Sequence, residues 1–418
     1  MALPTLSLRS CCLVATLAVT VAGCRSAEPV SIDLVGFPDS LRPAVDPVAA
    51  VFRHRPDDAS VLYQVAALHA FAGHTDAALA TLRQMADLGS GVDPRVRDGF
   101  GSLADNSEFK AIRDRIQREF PPVNRAARAF DVPAGAGIPE GVAWSAKTHL
   151  LYMGGFRTVT AVDSTGQARP FIAPGTTRLG GVVGIRVDDS RGEFWATSSK
   201  FGNPPPDAVI GLFRFRLADG QLIATYPISD SAFGFVNDIA IAPDGSAYAT
   251  ATNTGALFRV DPAGNSETFL PRGTLPDPNG IAASEDGQYL FVAGWYGIVR
   301  VDLKTRDTLM LRQASNVASG CLDGLYLTAP RELVGVQNCV HATGRILRFG
   351  LSAARDSIEN VEVLESYNPL FDGITTAAVA GPVLYFVANT QLRKLGRDGT
   401  TTEPLDPLQV LKLPLLDR

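Results

Sequence analysis

Six short segments of this chain share one pattern: a variable residue, then glycine or aspartate, then an aliphatic residue opening an apolar run. They are Pro139-Glu140-Gly141-Val142-Ala143, Val182-Val183-Gly184-Ile185-Arg186, Val236-Asn237-Asp238-Ile239-Ala240, Pro278-Asn279-Gly280-Ile281-Ala282, Leu322-Asp323-Gly324-Leu325-Tyr326 and Phe371-Asp372-Gly373-Ile374-Thr375. The variable positions are Glu140, Val183, Asn237, Asn279, Asp323 and Asp372. Five of the six are oxygen donors, and none is Lys, Arg, His or Cys. Carboxylates and amide carbonyls converging on one axis would repel one another, and a hard divalent cation relieves that repulsion. An all-oxygen set selects Ca2+ first and Mg2+ or Mn2+ over softer metals, with Zn2+ the outlying choice. Asp and Asn are also common where strands begin, because they bond neighbouring backbone. Agreement in register over several segments is what favours a site.

The elements that would position these residues repeat with them. The variable positions step by 43, 54, 42, 44 and 49 residues. Each is followed by a second strand-like run: Leu150–Met153, Glu193–Ala196, Ala247–Thr250, Tyr289–Val292, Glu332–Gly335 and Val383–Phe386. A third often follows, as at Leu257–Asp261 and Ile298–Asp302. A period of roughly 40–50 residues with four strands per unit marks a β-propeller, and six units mean six blades. In that fold the innermost strand of each blade lines the central channel. Equivalent positions at its start therefore ring one mouth of the channel.

Pro139-Glu140-Gly141, Val236-Asn237-Asp238, Pro278-Asn279-Gly280-Ile281 and Asp323-Gly324 resemble the metal-site motifs of the gluconolactonase/regucalcin (senescence marker protein) family of six-bladed propellers. That family is more distantly akin to paraoxonase-type arylesterases and strictosidine-synthase-like propellers. The resemblance covers about residues 131–400. It implies that Glu140, Asn279 and Asp323 bind one divalent cation, that Asn237 binds metal or substrate, and that Asp323 doubles as the catalytic acid–base residue. The implied reaction is hydrolysis of a lactone or ester, with the cation on the carbonyl oxygen and a carboxylate activating water. Asp372 is an acid the family does not usually place there. A second base, a second metal ligand, a turn role, a supporting role behind the metal and contact with substrate remain open for it.

The family often holds a sugar-acid substrate with an arginine just before the asparagine. Here Gly234, Phe235 and Val236 precede Asn237. Phe233, Phe235, Trp295 and Tyr296 point to a more apolar mouth, with Trp295 a candidate substrate contact or a blade-packing residue. The five histidines, His341 among them, form no metalloprotease helix motif, and there is no Gly-x-Ser-x-Gly elbow. The net charge of −5 gives no reason to expect nucleic acid.

The N-terminus reads as an export signal. Arg9 precedes a short apolar run over 11–22, and Val21-Ala22-Gly23-Cys24 resembles a bacterial lipobox, with Cys24 lipidated. An ordinary secretory peptide is the plainer reading, but the tetrad sits where the cleavage site should be. This predicts a protein lipid-anchored in the cell envelope, facing the periplasm, and Arg25 favours the outer membrane. Cys11 and Cys12 would leave with the signal. Cys321 and Cys339 then remain, flanking a hairpin whose open end brings them together, and an oxidising compartment permits a disulfide.

Residues 25–42 read as a tether. Residues 43–122 change to helical spacing, with Ala59–Gly73 and Thr75–Gly89 resembling a tetratricopeptide helix pair and Asp76 as the cap of the second helix. Asp93-Pro94 and Asp105–Phe120 suggest further helices, the last ending at Pro121-Pro122. This small helical domain would cap or dock something, and could hold a protein partner. The propeller itself is expected over 131–418. Two functions follow: a metal-dependent lactone or ester hydrolase, or a non-catalytic lipid-anchored propeller with a structural Ca2+ that binds a partner.

Overall fold

A computed structural model describes residues 36–96, 99–201, 204–228, 234–338, 344–396 and 400–416. The export signal, Cys24, most of the tether, Phe233, Cys339 and His341 lie outside the described residues.

The described strands form six four-stranded antiparallel sheets, the six blades. Their inner strands are Val142–Ser145, Ile185–Asp188, Val236–Ile241, Ile281–Ala283, Leu322–Ala329 and Ala377–Ala380. Blade six is composite. Its three inner strands come from the chain's end, and Ala127–Val132, which precedes blade one, adds the outermost. The pairing Val132↔Leu408 closes the ring.

Apolar clusters between neighbouring blades form the core. Tyr152, Phe194, Phe213 and Phe215 fill the gap between blades one and two. Ala282, Phe291, Leu325 and Phe349 do so between blades four and five. Val132, Val142, Leu151 and Leu408 seal blade six to blade one.

The recurrent glycine has a steric cause. A Cβ on Gly141 would lie 2.3 Å from the Val183 carbonyl oxygen, on Gly184 2.2 Å from that of Asn237, and on Gly280 2.3 Å from that of Asp323. Each contact is to the equivalent residue one blade on. At these three positions the inner strands approach so closely that only glycine fits after the variable residue.

Among the described residues, four α-helices lie before the propeller: α1 (Arg42–Phe52), α2 (Ala59–Phe71), α3 (Thr75–Leu88) and α4 (Ser107–Glu119); Asp93 and Pro94, expected to open a helix, stand outside them. Asp58 caps α2 through the amides of Ser60 and Val61, and Asn106 caps α4. Helix α3 differs from expectation. Its N-cap is His74, without a side-chain bond, and Asp76 lies inside the first turn, where its charge meets the positive helix end. Pro43 and Pro47 had masked α1 in the sequence. Phe37, at the end of the tether segment, packs against His69 and His74 with ring centroids 5.1 and 5.0 Å away.

The helices dock on the propeller. Tyr296, Ala318 and Cys321 belong to the same apolar core as α2, α3 and α4.

Candidate metal centre at the channel mouth

Glu140, Val183, Asn237, Asn279 and Asp323 each stand two residues before the first regular inner-strand pair of their blade: Val142↔Met153, Ile185↔Ala196, Ile239↔Ala249, Ile281↔Val292 and Leu325↔Gly335. In blade six that pair is Ala377↔Phe386. The equivalent residue is therefore Thr375, not Asp372. Asp372 lies three residues earlier, ahead of a turn with Gly373 at φ +79°, and both its oxygens accept from Arg393 Nε at 3.1 Å. The Asp-Gly pair imitated the ring signature, but it belongs to the approach loop.

Threonine hydroxyls pin the ring from blade to blade. Thr197 donates to the Asn237 carbonyl at 3.0 Å and Thr250 to that of Asn279 at 2.8 Å. Thr375 and Thr376 both donate to the Glu140 carbonyl, at 3.0 and 2.6 Å. Each such bond contributes about 1 kcal/mol and fixes a main-chain position at the mouth.

The side chains meet in a buried, acidic place. Asp323 is 5% exposed. Its Oδ2 accepts from Asn338 Nδ2 at 2.6 Å, and Asn279 also donates to its carboxylate. Burial pushes the Asp323 carboxyl up to about 7; the two amide hydrogen bonds oppose the rise and the charge of Asp238 adds to it. Burial, and then the charge of Asp323, raise Glu140 well above the usual carboxylate range. Glu140 Oε2 is sealed from solvent and has no hydrogen-bond partner among the described residues. Asn237 commits its Nδ2 to Thr252 Oγ1 at 2.9 Å, which leaves its carbonyl oxygen for another partner.

Below the ring an ion pair floors the mouth. Asp238 takes Arg186 Nη2 at 3.1 Å and the amides of Ile239 and Ile281, while Arg186 lies over the Tyr326 ring. Beyond Arg186 a cavity of about 490 Å3, walled by Val142, Ile281 and Leu325, lies at the other end of the channel.

These residues fit a divalent cation. Asp323 is buried and Glu140 half-buried, and their negative charges repel one another. Neither has a cationic partner among the described residues, and Glu140 carries an orphaned oxygen, while Asn237 leaves its side-chain carbonyl oxygen for another partner. No group of three or more His, Cys, Asp or Glu gathers among the described residues, so such a cation would depend on the asparagines for its remaining protein ligands.

Trp295 lines a small cavity beside Asn279, with Asp277, Cys321 and Asn338, and also packs on the helical core. Tyr296 is turned away from the mouth into that core, and its carbonyl accepts from Arg55 Nη1 at 2.8 Å. Phe235 packs edge-on to Phe201. Cys321 is disulfide-bonded, while Cys339 lies outside the described residues.

Sequence reasoning missed Asn338, Asp277 and Thr375. Asn338 and Asp277 stand outside the repeated segment, and only a strand boundary distinguishes Thr375.

No family model matches the chain, and no curated protein matches it. Solved structures that resemble it include a gluconolactonase from Xanthomonas campestris, 16% identical over 70% of this chain and 91% of that one, with a TM-score of 0.48. A calcium-binding regucalcin from Agrobacterium tumefaciens is 16% identical over 69% and 95%, with a TM-score of 0.47. Virginiamycin B lyase from Staphylococcus aureus is 16% identical over 67% and 96%, with a TM-score of 0.44. The blade count rests on the six sheets of this chain itself.

Proposed function

We propose that this chain is a divalent-cation-dependent hydrolase of lactones or esters, working in the bacterial cell envelope from a lipid anchor at Cys24. The observation that carries the reading is the pair Glu140 and Asp323, whose negative charges repel at the mouth, with Asp323 buried and Glu140 Oε2 sealed from solvent and unsatisfied. Two such acids are costly without a countercharge. Glu140, Asn279 and Asp323, with Asn237 beside them, would hold one Ca2+; Mg2+, Mn2+ or Zn2+ are the alternatives. When bound, the cation supplies Lewis-acid stabilisation of negative charge on a carbonyl oxygen.

The chain's own groups supply the rest. Asp323, its carboxylate held ionised by the cation, would take a proton from the attacking water. Asn338 holds Asp323 in place by donating one amide hydrogen to it and the other to the Ile374 carbonyl at 2.7 Å. The Arg186–Asp238 floor separates the mouth from the rest of the channel. Trp295 is the candidate substrate wall; Asp372, paired with Arg393, would reach a substrate only at the rim.

The second reading is a non-catalytic propeller with a structural Ca2+ that presents a partner surface. It is favoured by the helices docked on the rim through Tyr296, Ala318 and Cys321.

Calorimetry with Ca2+ and Mn2+ on protein lacking residues 1–24 tests both. Binding lost in Asp323→Ala and Glu140→Ala, together with cation-dependent turnover on a lactone and ester panel, supports the hydrolase. Binding without turnover favours the partner-binding propeller, and no binding by the unaltered protein rejects the metal centre.

A further inference from the structure

The helical segment covers the blade four-to-six side of the channel mouth. Arg55 donates to the Tyr296 carbonyl of blade four at 2.8 Å, and the Gly320 amide, on the loop into blade five, donates to Ser60 Oγ at 2.8 Å. Tyr367, on the loop into blade six, donates its hydroxyl to the Gly91 carbonyl at 2.9 Å. The blade one-to-three side of the same end carries three phenylalanines instead. Phe156 follows the second strand of blade one, Phe201 follows that of blade two, and Phe235 directly precedes the inner strand of blade three. Main-chain bonds tie their segments to the ring. The Glu140 amide donates to the Gly154 carbonyl at 3.3 Å, Gly181 bridges both Phe156 and Ser199 just ahead of Val183, and the Lys200 amide donates to the Gly234 carbonyl at 2.7 Å. The rings of Phe156 and Phe201 stack with centroids 5.4 Å apart, and Phe235 stands edge-on to Phe201 at 6.0 Å. All three are half-buried, so each keeps part of its surface open. Val183, the ring member without a side-chain oxygen, belongs to blade two, in the middle of this sector. An apolar sector therefore adjoins the acids and amides of the candidate cation site.

We infer that the substrate enters over blades one to three and that Phe156, Phe201 and Phe235 hold its apolar arm while the reacting carbonyl lies at the ring. The occupant is an ester or lactone bearing an alkyl or aryl group. Three rings already packed on one another form a preformed apolar wall beside a few polar groups, the usual make-up of a small-molecule site. The hydroxyls of a sugar acid would lose water against that wall and gain no partner from it. The substrate class rests on the hydrolase reading; the apolar subsite does not.

Ligand-observed NMR with pyrrolidinone and its phenyl-substituted analogue, lactams that resist hydrolysis, tests the subsite on the protein lacking residues 1–24, with and without Ca2+. The unaltered protein should bind the phenyl analogue at least about tenfold more tightly than the parent lactam, the gain expected from burying one aromatic ring. Phe201→Ala should cut that preference to less than about threefold, whereas Phe71→Ala, at an exposed ring of the helices, should leave it intact. The unaltered protein, prepared with isotope-labelled phenylalanine, should also show Overhauser contacts from the probe's ring to ring protons of Phe156, Phe201 or Phe235. That reading stands even where Phe201→Ala fails to fold. Equal binding of the two lactams, absence of those contacts, a preference that survives in folded Phe201→Ala, or one lost in Phe71→Ala overturns the proposal. Selective binding of the phenyl analogue without turnover of any lactone or ester rejects the hydrolase reading and leaves the subsite standing. Turnover indifferent to a phenyl arm rejects the subsite and leaves the hydrolase reading.

Discussion

Asp323 and Glu140 are acids whose protonated forms are favoured by folding. With a folded pKa of about 7 against an unfolded value near 3.8, Asp323 holds its proton in the native state across a window where the unfolded chain has lost it. Native protein then binds more protons than unfolded protein, so stability falls as pH rises from about 4 to about 7. Glu140 is shifted in the same direction and adds to the fall. A bound divalent cation reverses the sign, because it binds the ionised forms and competes with protons. Metal-free protein should therefore melt at a lower temperature at pH 8 than at pH 5, by an amount equivalent to a few kcal/mol, on the order of 1.4 kcal/mol per pKa unit. Saturating Ca2+ should remove most of the difference, and Asp323→Asn should flatten the metal-free profile. Thermal denaturation across that pH range decides the matter; a metal-free profile that rises with pH would contradict the buried-acid account.

At the scale of the strand, the ring depends on glycine as much as on its donors. Gly280 lets the inner strand of blade four run against blade five, where a Cβ would meet the Asp323 carbonyl oxygen at 2.3 Å and the Leu325 amide at 2.5 Å. Both are main-chain atoms, so the neighbouring strand itself must shift. Gly280→Ala should cost about 1–3 kcal/mol in urea denaturation, as overpacking does, and weaken Ca2+ binding by displacing Asp323. Gly101→Ala, with no heavy atom within 4 Å of its new Cβ and no positive φ, is the control for cation affinity. The same contact explains how much was legible. The glycine of the x-Gly-aliphatic segments is the trace that axial crowding leaves in the chain, and the repeat, with Asp238 in its place in blade three, revealed the six blades. In blade six the crowded position is filled by Thr376, whose hydroxyl bonds the Glu140 carbonyl, and the nearby Asp372-Gly373 turn took its place in the pattern. Asn338 and Asp277 leave no such trace, since each reaches the mouth from a connecting loop. The docking of the helices was equally hidden, because Gln64 meets Cys321 across 257 residues of sequence and no spacing encodes that contact.

For the whole molecule the question is whether helices and propeller fold as one body. A tethered domain would keep its own core, yet here Tyr296, Ala318 and Cys321 complete the core of α2 and α4. A buried polar chain runs through the same junction. Arg345, 3% exposed, donates to the Ser90 carbonyl at 3.0 Å and to Gln337 Oε1 at 2.7 Å. Gln337 donates in turn to the carbonyls of Ala318 and Gly320, at 2.9 and 2.6 Å, and the Gly320 amide donates to Ser60 Oγ of α2 at 2.8 Å. Helix segment, blade five and mouth loop thus share one network, and loss of one member leaves buried partners unsatisfied at about 1–3 kcal/mol each. Calorimetric unfolding should show one transition covering both parts. Arg345→Met keeps the side chain's length but strips its donors, leaving the Ser90 carbonyl and Gln337 Oε1 without this partner. It should lower the transition or split it into a helical and a propeller step, while a surface change such as Arg216→Met does neither. Two separate transitions in the unaltered protein would mean that the helices stand apart from the propeller energetically. The mouth would then owe nothing to them, and Trp295 and Cys321 would keep their places after the helical segment is removed.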